Sequence, residues 1–132
     1  MFYRDHERDG LSKIVHDALY KKSIVASDCK RDFLPVDVAC KLLNKLCGNT
    51  RWYNRTVNLA SGRIVNMMEI AGFLVRKYGV SCHRTTLPQY SDICYRFSPN
   101  DANSLEKINF DIFDLVEEYY ENLEREMYGK TA

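Results

Sequence analysis

No apolar run in the chain approaches the roughly 20 residues that a membrane-spanning helix requires, so no stretch reads as a span. Net charge is equally scarce. Lys plus Arg number 19 against 18 Asp plus Glu, a formal +1, which excludes a global field that would recruit nucleic acid or an anionic membrane. Only three prolines interrupt the chain and 45% of its residues are hydrophobic, so it is expected to fold and not to stay disordered. The five cysteines, Cys29, Cys40, Cys47, Cys82 and Cys94, include no Cys-x-x-Cys pair, make an odd total and follow nothing resembling a signal peptide. They read as reduced thiols in a cytoplasm, mostly small core residues, and not as a disulfide framework. His6, His16 and His83 lack metal-ligand spacing with them and read as surface or capping residues. Repeats, low-complexity tracts and linkers are absent too.

What is there suits one α/β domain spanning residues 1–132, of about five helices and three to five short strands. After a charged lead-in, a helix starts at Asp9 and Gly10 with Leu11, Ile14, Val15, Ala18 and Leu19 on one face. Ser23 to Ala26 and Arg31 to Leu34 read as short extended pieces. Pro35 disfavours helix at Leu34, so the next helix begins after it, with Asp37 as N-cap, Ala39, Leu42, Leu43 and Leu46 buried, and Gly48 as its close. A β-rich run, Arg55 to Leu59, ends in the small residues Ala60, Ser61 and Gly62, which suit a tight turn. Asn66 and Glu69 have capping-box spacing before Met67, Ile70, Ala71, Leu74 and Tyr78, and Gly79 can stop that helix in the left-handed conformation. Val80 to Thr86 and Ile93 to Phe97 are strand candidates, and Asp101 to Lys107 is a short helix. A last helix runs from about Asp111 to Tyr128 and stops at Gly129. Residues 111–126 hold seven acids and one base, with Glu117, Glu118, Glu121 and Glu124 read as a solvated face. Trp52 and Tyr53 between Arg51 and Arg55 read as loop anchors.

Three segments in order resemble the C-terminal half of the NAD-dependent epimerase/dehydratase family, the extended short-chain dehydrogenases that remodel nucleotide-linked sugars. Arg31-Asp32-Phe33-Leu34-Pro35-Val36-Asp37-Val38-Ala39 is similar to the family's "Arg-Asp-aromatic-hydrophobic-x-Val-x-Asp-Val-Ala" run. Asn58-Leu59-Ala60-Ser61-Gly62, followed by Met68-Glu69-Ile70-Ala71, resembles its "Asn-hydrophobic-small-Ser-Gly … hydrophobic-Glu-hydrophobic-Ala" segment. Asp101 to Phe110 resembles the segment before its last helix, with Ile108-Asn109-Phe110 where Leu-Gly-aromatic is common.

The resemblance implies the C-terminal, substrate-binding fragment of a Rossmann-type enzyme, without the dinucleotide-binding half. It implies that Arg31 contacts the diphosphate of a nucleotide sugar, a role suited to a planar guanidinium; an arginine paired with Asp32 or another acid is the alternative. It also places the backbone of Ser23 to Asp28 beside the nucleotide base, so that Ser23, Val25, Arg31 and Phe33 are the expected substrate-binding residues. Departures are the lack of glycines in Ala26 to Lys30 and of an arginine early in Gln89 to Phe97, where Arg96 comes late. The family's catalytic machinery is missing. No three of Gly10, Gly48, Gly62, Gly72, Gly79 and Gly129 have the spacing of a pyrophosphate-binding turn, and no tyrosine has a lysine four residues later to lower its pKa. The chain by itself is therefore expected to bind no NAD(P) and to catalyse nothing, although the complete enzyme would use NAD(P). Its edge strand is expected to seek a second copy or a separate cofactor-binding domain. A non-catalytic interaction module that kept the fold is the alternative.

Overall fold

The computed structural model describes residues 10–86 and 100–131. They form a mixed α/β structure of five helices and two two-stranded sheets. Helix α1 (Gly10–Tyr20) leads into β1 (Ser23–Ser27) and β2 (Lys30–Asp32). Helix α2 (Val36–Cys47) and a single 3-10 turn (Thr50–Trp52) follow, and an extended link leads to β3 (Ile64–Asn66) and α3 (Met67–Tyr78). Then come β4 (Ser81–Thr85), α4 (Asn100–Leu105) and α5 (Ile112–Thr131). Strand β1 pairs parallel with β4, Ser23 opposite Ser81 and Ser27 opposite Thr85. Strand β2 pairs antiparallel with β3, with Arg31 opposite Val65.

The apolar spacing of α1 determines what it covers. Leu11, Ile14, Val15, Ala18 and Leu19 are all buried against Ile24 of β1, Ile70 and Leu74 of α3, and Val116, Tyr119 and Leu123 of α5. Each fully buried aliphatic side chain in this cluster contributes about 1.5–3 kcal/mol. A smaller cluster of Leu42, Ala102 and Ile108, flanked by Val38 and Leu59, joins α2 to α4.

Helix α3 has the ends its sequence implies. Asn66 accepts from Met68 N–H at 3.0 Å while Glu69 accepts from Asn66 N–H at 3.2 Å, and Gly79 closes the helix at φ +66°, where a side chain would be strained. Other ends differ. Helix α2 starts one residue before Asp37, with Pro35 as N-cap and no side-chain cap; the fixed φ of Pro35 presets the turn, and Asp37 sits in the first turn, where its charge suits the helix dipole. Gly129 does not stop α5, which continues to Thr131, since a glycine ends a helix only where an αL closure forms.

Side-chain placement departs from expectation at several points. Leu43 is 46% exposed, not buried. Of the cysteines described, only Cys29 is buried; Cys40 and Cys47 are exposed on α2, and Cys82 is half-buried. Glu117 is an ion-pair partner of Lys77, not a purely solvated residue. His16 is neither a surface nor a capping residue, because its Nε2 shares a 3.1 Å hydrogen bond with Tyr119 Oη that ties α1 to α5. Arg55 to Leu59 forms no strand pair among the described residues. The run keeps a strand's alternation of exposure toward its end, Val57 and Leu59 half-buried and Asn58 exposed. The strand expected over Ile93 to Phe97, the lead-in ahead of Gly10, Arg96, His6 and Cys94 lie outside the described residues.

Candidate functional site

The Arg31-Asp32 pair and the Ser61-Gly62 turn, read from separate segments, meet in space. Asp32 Oδ1 accepts from Ser61 N at 3.1 Å and Ser61 Oγ at 2.5 Å, and Oδ2 accepts from Gly62 N at 2.8 Å. Gly62 adopts φ +74°, which brings two consecutive N–H groups toward one carboxylate. Ser61, 6% exposed, also accepts from Arg63 N at 3.1 Å. Both Asp32 oxygens are thus used to fasten the turn to the end of β2. Neighbouring strand residues point to opposite faces, so with Asp32 directed at the turn, Arg31 is directed away from it.

Arg31 lines a hollow of about 320 Å³ between α1, β1, β2 and the end of β4. Val25 and Phe33 line it as well, together with Lys13, Met67 and Thr85. Three of the four expected substrate-binding residues are therefore brought together. Ser23 is not among them; it begins β1 opposite Ser81, at the far end of the strand from Ser27. Arg31 is half-buried, with Nη1 donating to the Lys30 carbonyl at 2.8 Å. Among the described lining residues there is no carboxylate, and the two charged ones are Arg31 and Lys13, the latter paired with Asp17 outside the lining.

Neighbouring groups hold the walls. Met67 N donates to the Cys29 carbonyl at 2.8 Å. Asp28 accepts from Asn66 Nδ2 and, at 3.1 Å, from Arg84 Nη2, which joins the β1–β2 connection to β4 and to the cap of α3. Lys13 reaches Asp17 at 3.3 Å, one helical turn along α1. Burial works against ionising Asp17, yet the hydrogen bonds and charges of Lys21 and Lys13 outweigh it and hold the carboxyl below its ordinary value.

Phe33 borders two further hollows, which are less suited to an anion. One of about 310 Å³ against α5 is walled by Leu34, Pro35, Ile112 and Leu115 and carries Asp37 and Glu118 with no cation among the described residues. The other, about 190 Å³, contains Arg63 beside Asp111, and Arg63 Nη1 already donates to the Phe110 carbonyl at 2.6 Å with its guanidinium over the Phe110 ring.

Sequence pattern marks none of Lys13, Met67 and Thr85 for the site; Met67 reads only as part of a helix's apolar stripe and Thr85 as part of a strand. Lys13 lies on the polar side of an amphipathic helix, where lysine is ordinary, and only the fold reveals that this side borders Arg31. Among the described residues no group of three or more His, Cys, Asp or Glu could hold a metal ion. The Cys82-His83 pair sits on β4 with Cys82 half-buried and His83 exposed, the alternation that keeps adjacent strand side chains apart. No helix among the described residues is long and apolar enough to cross a membrane. Comparison of the chain with protein-family models, with curated proteins and with solved structures found no match.

Proposed function

We propose that the chain is the nucleotide-sugar-binding portion of a protein like the NAD-dependent epimerase/dehydratases, with a Rossmann-type partner region supplying the redox chemistry. One observation carries the reading: Lys13 and Arg31 line one hollow whose described lining residues include no carboxylate, and Val25, Met67 and Phe33 supply apolar wall. That combination suits a ligand with an anionic middle and flat or apolar ends. Arg31 would hold the diphosphate by bidentate, charge-assisted hydrogen bonds, Phe33 and Val25 would flank the base or sugar, and the Asp32 clamp would keep Arg31 in place.

Among the described residues, the β3–α3 junction does not fit a dinucleotide cofactor. Strand β3 passes into α3 at Asn66–Met67 with no intervening loop, and the first amides of α3 are satisfied by its own capping box. No glycine-rich cradle for a pyrophosphate exists at that junction. NAD(P) and the acid–base residues would have to come from outside this chain.

Titration calorimetry with UDP- and dTDP-hexoses tests the proposal. Binding heat is expected for the wild-type chain, and Arg31→Ala is expected to weaken binding by about 10- to 100-fold, the loss of a charge-assisted pair worth roughly 1.5–3 kcal/mol. Absence of heat with every nucleotide sugar would leave the second reading, a non-catalytic interaction module. The exposed apolar side of α2, with Val36 36% and Leu43 46% exposed beside Cys40 and Cys47, favours that alternative.

A further inference from the structure

Asp17 is served by two lysines where one would neutralise it. Lys13 Nζ lies 3.3 Å from Oδ2 and Lys21 Nζ 2.9 Å from Oδ1, each four residues away along the chain. The Lys13 side chain is 56% exposed, and exposed pairs at this spacing are weak. Lys13 can leave without stranding the carboxylate, because the closer Lys21 stays. Unlike Lys21, it also lines the Arg31 hollow.

We propose that Lys13 is a second phosphate-binding cation that exchanges Asp17 for the ligand, and that it makes the hollow prefer nucleoside diphosphates to monophosphates. The proposal rests on reading the hollow as a nucleotide-sugar site. A guanidinium matches the two oxygens of one phosphate, which leaves the second phosphate of a diphosphate to be neutralised. Lysine suits that second phosphate, being a compact charge on a flexible stem with three donors, and Asp17, which competes for it, is not among the described lining residues of the hollow. Arg31 is braced by β2 and its neighbour's clamp, whereas among the described residues Lys13 is held by its ion pair with Asp17. One cation is therefore positioned in advance and the other is recruited by the ligand.

The test compares UDP with UMP, and dTDP with dTMP, on the full chain at low ionic strength. The wild type is expected to prefer the diphosphate by about tenfold or more. Lys13→Ala is expected to weaken diphosphate binding by about five- to tenfold, leave the monophosphate within about twofold, and make the salt dependence of diphosphate binding shallower; Lys13→Arg is expected to keep the preference. Asp17→Asn, which releases Lys13 from its competitor, is expected to tighten the diphosphate slightly. A purely structural Lys13 would lower the melting temperature and weaken both ligands alike. If Lys13→Ala keeps the wild-type preference while Arg31→Ala loses both ligands, the two-cation proposal is overturned and the site reading stands. If the wild type binds neither these nucleotides nor any nucleotide sugar, the site reading itself fails.

Discussion

Removing the Asp32 carboxylate should measure what the clamp between β2 and the Ser61-Gly62 turn contributes to stability. Asp32→Ala deletes three hydrogen bonds, from Ser61 N, Ser61 Oγ and Gly62 N. Bonds to a charged acceptor contribute about 1.5–3 kcal/mol each when they stand alone, but the three share one carboxylate and are not additive. Gly62 is exposed, so its N–H can turn to water, whereas Ser61 is buried and its amide would be left unpaired at a cost of about 1–3 kcal/mol. Together these give a loss of roughly 3 kcal/mol, a large share of the 5–15 kcal/mol typical of a domain. Asp32→Asn, which keeps one acceptor oxygen but turns an NH2 toward an N–H, should cost about 2 kcal/mol. Ser61→Ala, which leaves both backbone donors in place, should cost about 1 kcal/mol. Urea denaturation followed by far-UV circular dichroism measures the order, with the Asp32→Ala midpoint lower by about 1.5 M for a slope near 2 kcal/mol/M. An Asp32→Ala protein within about 0.5 kcal/mol of wild type would refute the reasoning, because the carboxylate would then be an ordinary surface charge.

Two further outcomes follow from Tyr78 and from the exposed face of α2. Burial, with the charges of Glu117 and Glu121 behind it, pushes the Tyr78 phenol up to about 12, and its hydroxyl is buried without a hydrogen-bond partner among the described residues while its ring stacks on Tyr120 at 3.6 Å. A raised folded-state pKa favours the protonated form, so this stabilisation is complete below the unfolded value near 10 and is lost as pH climbs from there to about 12; for a partly exposed ring it amounts to about 1 kcal/mol. Tyr78→Phe should be neutral or slightly stabilising at pH 7 and should remove that alkaline loss, and a pH 7 destabilisation above about 1 kcal/mol would contradict the missing partner. The open face predicts association: Val36, Cys40, Leu43 and Cys47 lie at helical spacing on α2, all exposed, and the Arg55 to Leu59 run has no strand partner among the described residues. Sedimentation should show self-association that Leu43→Glu suppresses, and a strictly monomeric wild type over a wide concentration range would count against it.

Local chemistry was legible in the sequence where it is self-contained. The Asn66–Glu69 box, the Gly79 stop and the buried stripe of α1 each depend on residues within about two helical turns, and all three formed as spaced. What was not legible depends on neighbours. Leu43 follows the same apolar periodicity as Leu42, and only the position of α4, which covers Leu42, distinguishes them. The short β3 is a strand because β2 lies alongside it, and Arg55 to Leu59 is not one because no described strand does; strand propensity records fitness for a pleated surface and not the presence of one. Arg31, Val25 and Phe33 line one hollow and Ser23 does not, since a five-residue strand carries its two ends apart by roughly 3.3 Å per residue.

The Arg31-Asp32 dipeptide has one physical consequence that neither residue has alone. A strand sends successive side chains to opposite faces, so an acid and a base placed side by side cannot readily satisfy each other and must each find a partner across the strand. Here the acid finds two backbone amides and a hydroxyl on the Ser61-Gly62 turn, which fixes the backbone at that point. The base is thereby turned toward the hollow on the other side, where Lys13 adds charge of the same sign. In the empty state Lys13 is compensated by Asp17, so in the proposed site an anionic ligand would compete with that carboxylate for it. The same clamp that stabilises the fold therefore also orients Arg31, and if the hollow is the proposed nucleotide-sugar site, Asp32→Asn should weaken binding without touching the ligand and Lys13→Ala should weaken binding without destabilising the fold.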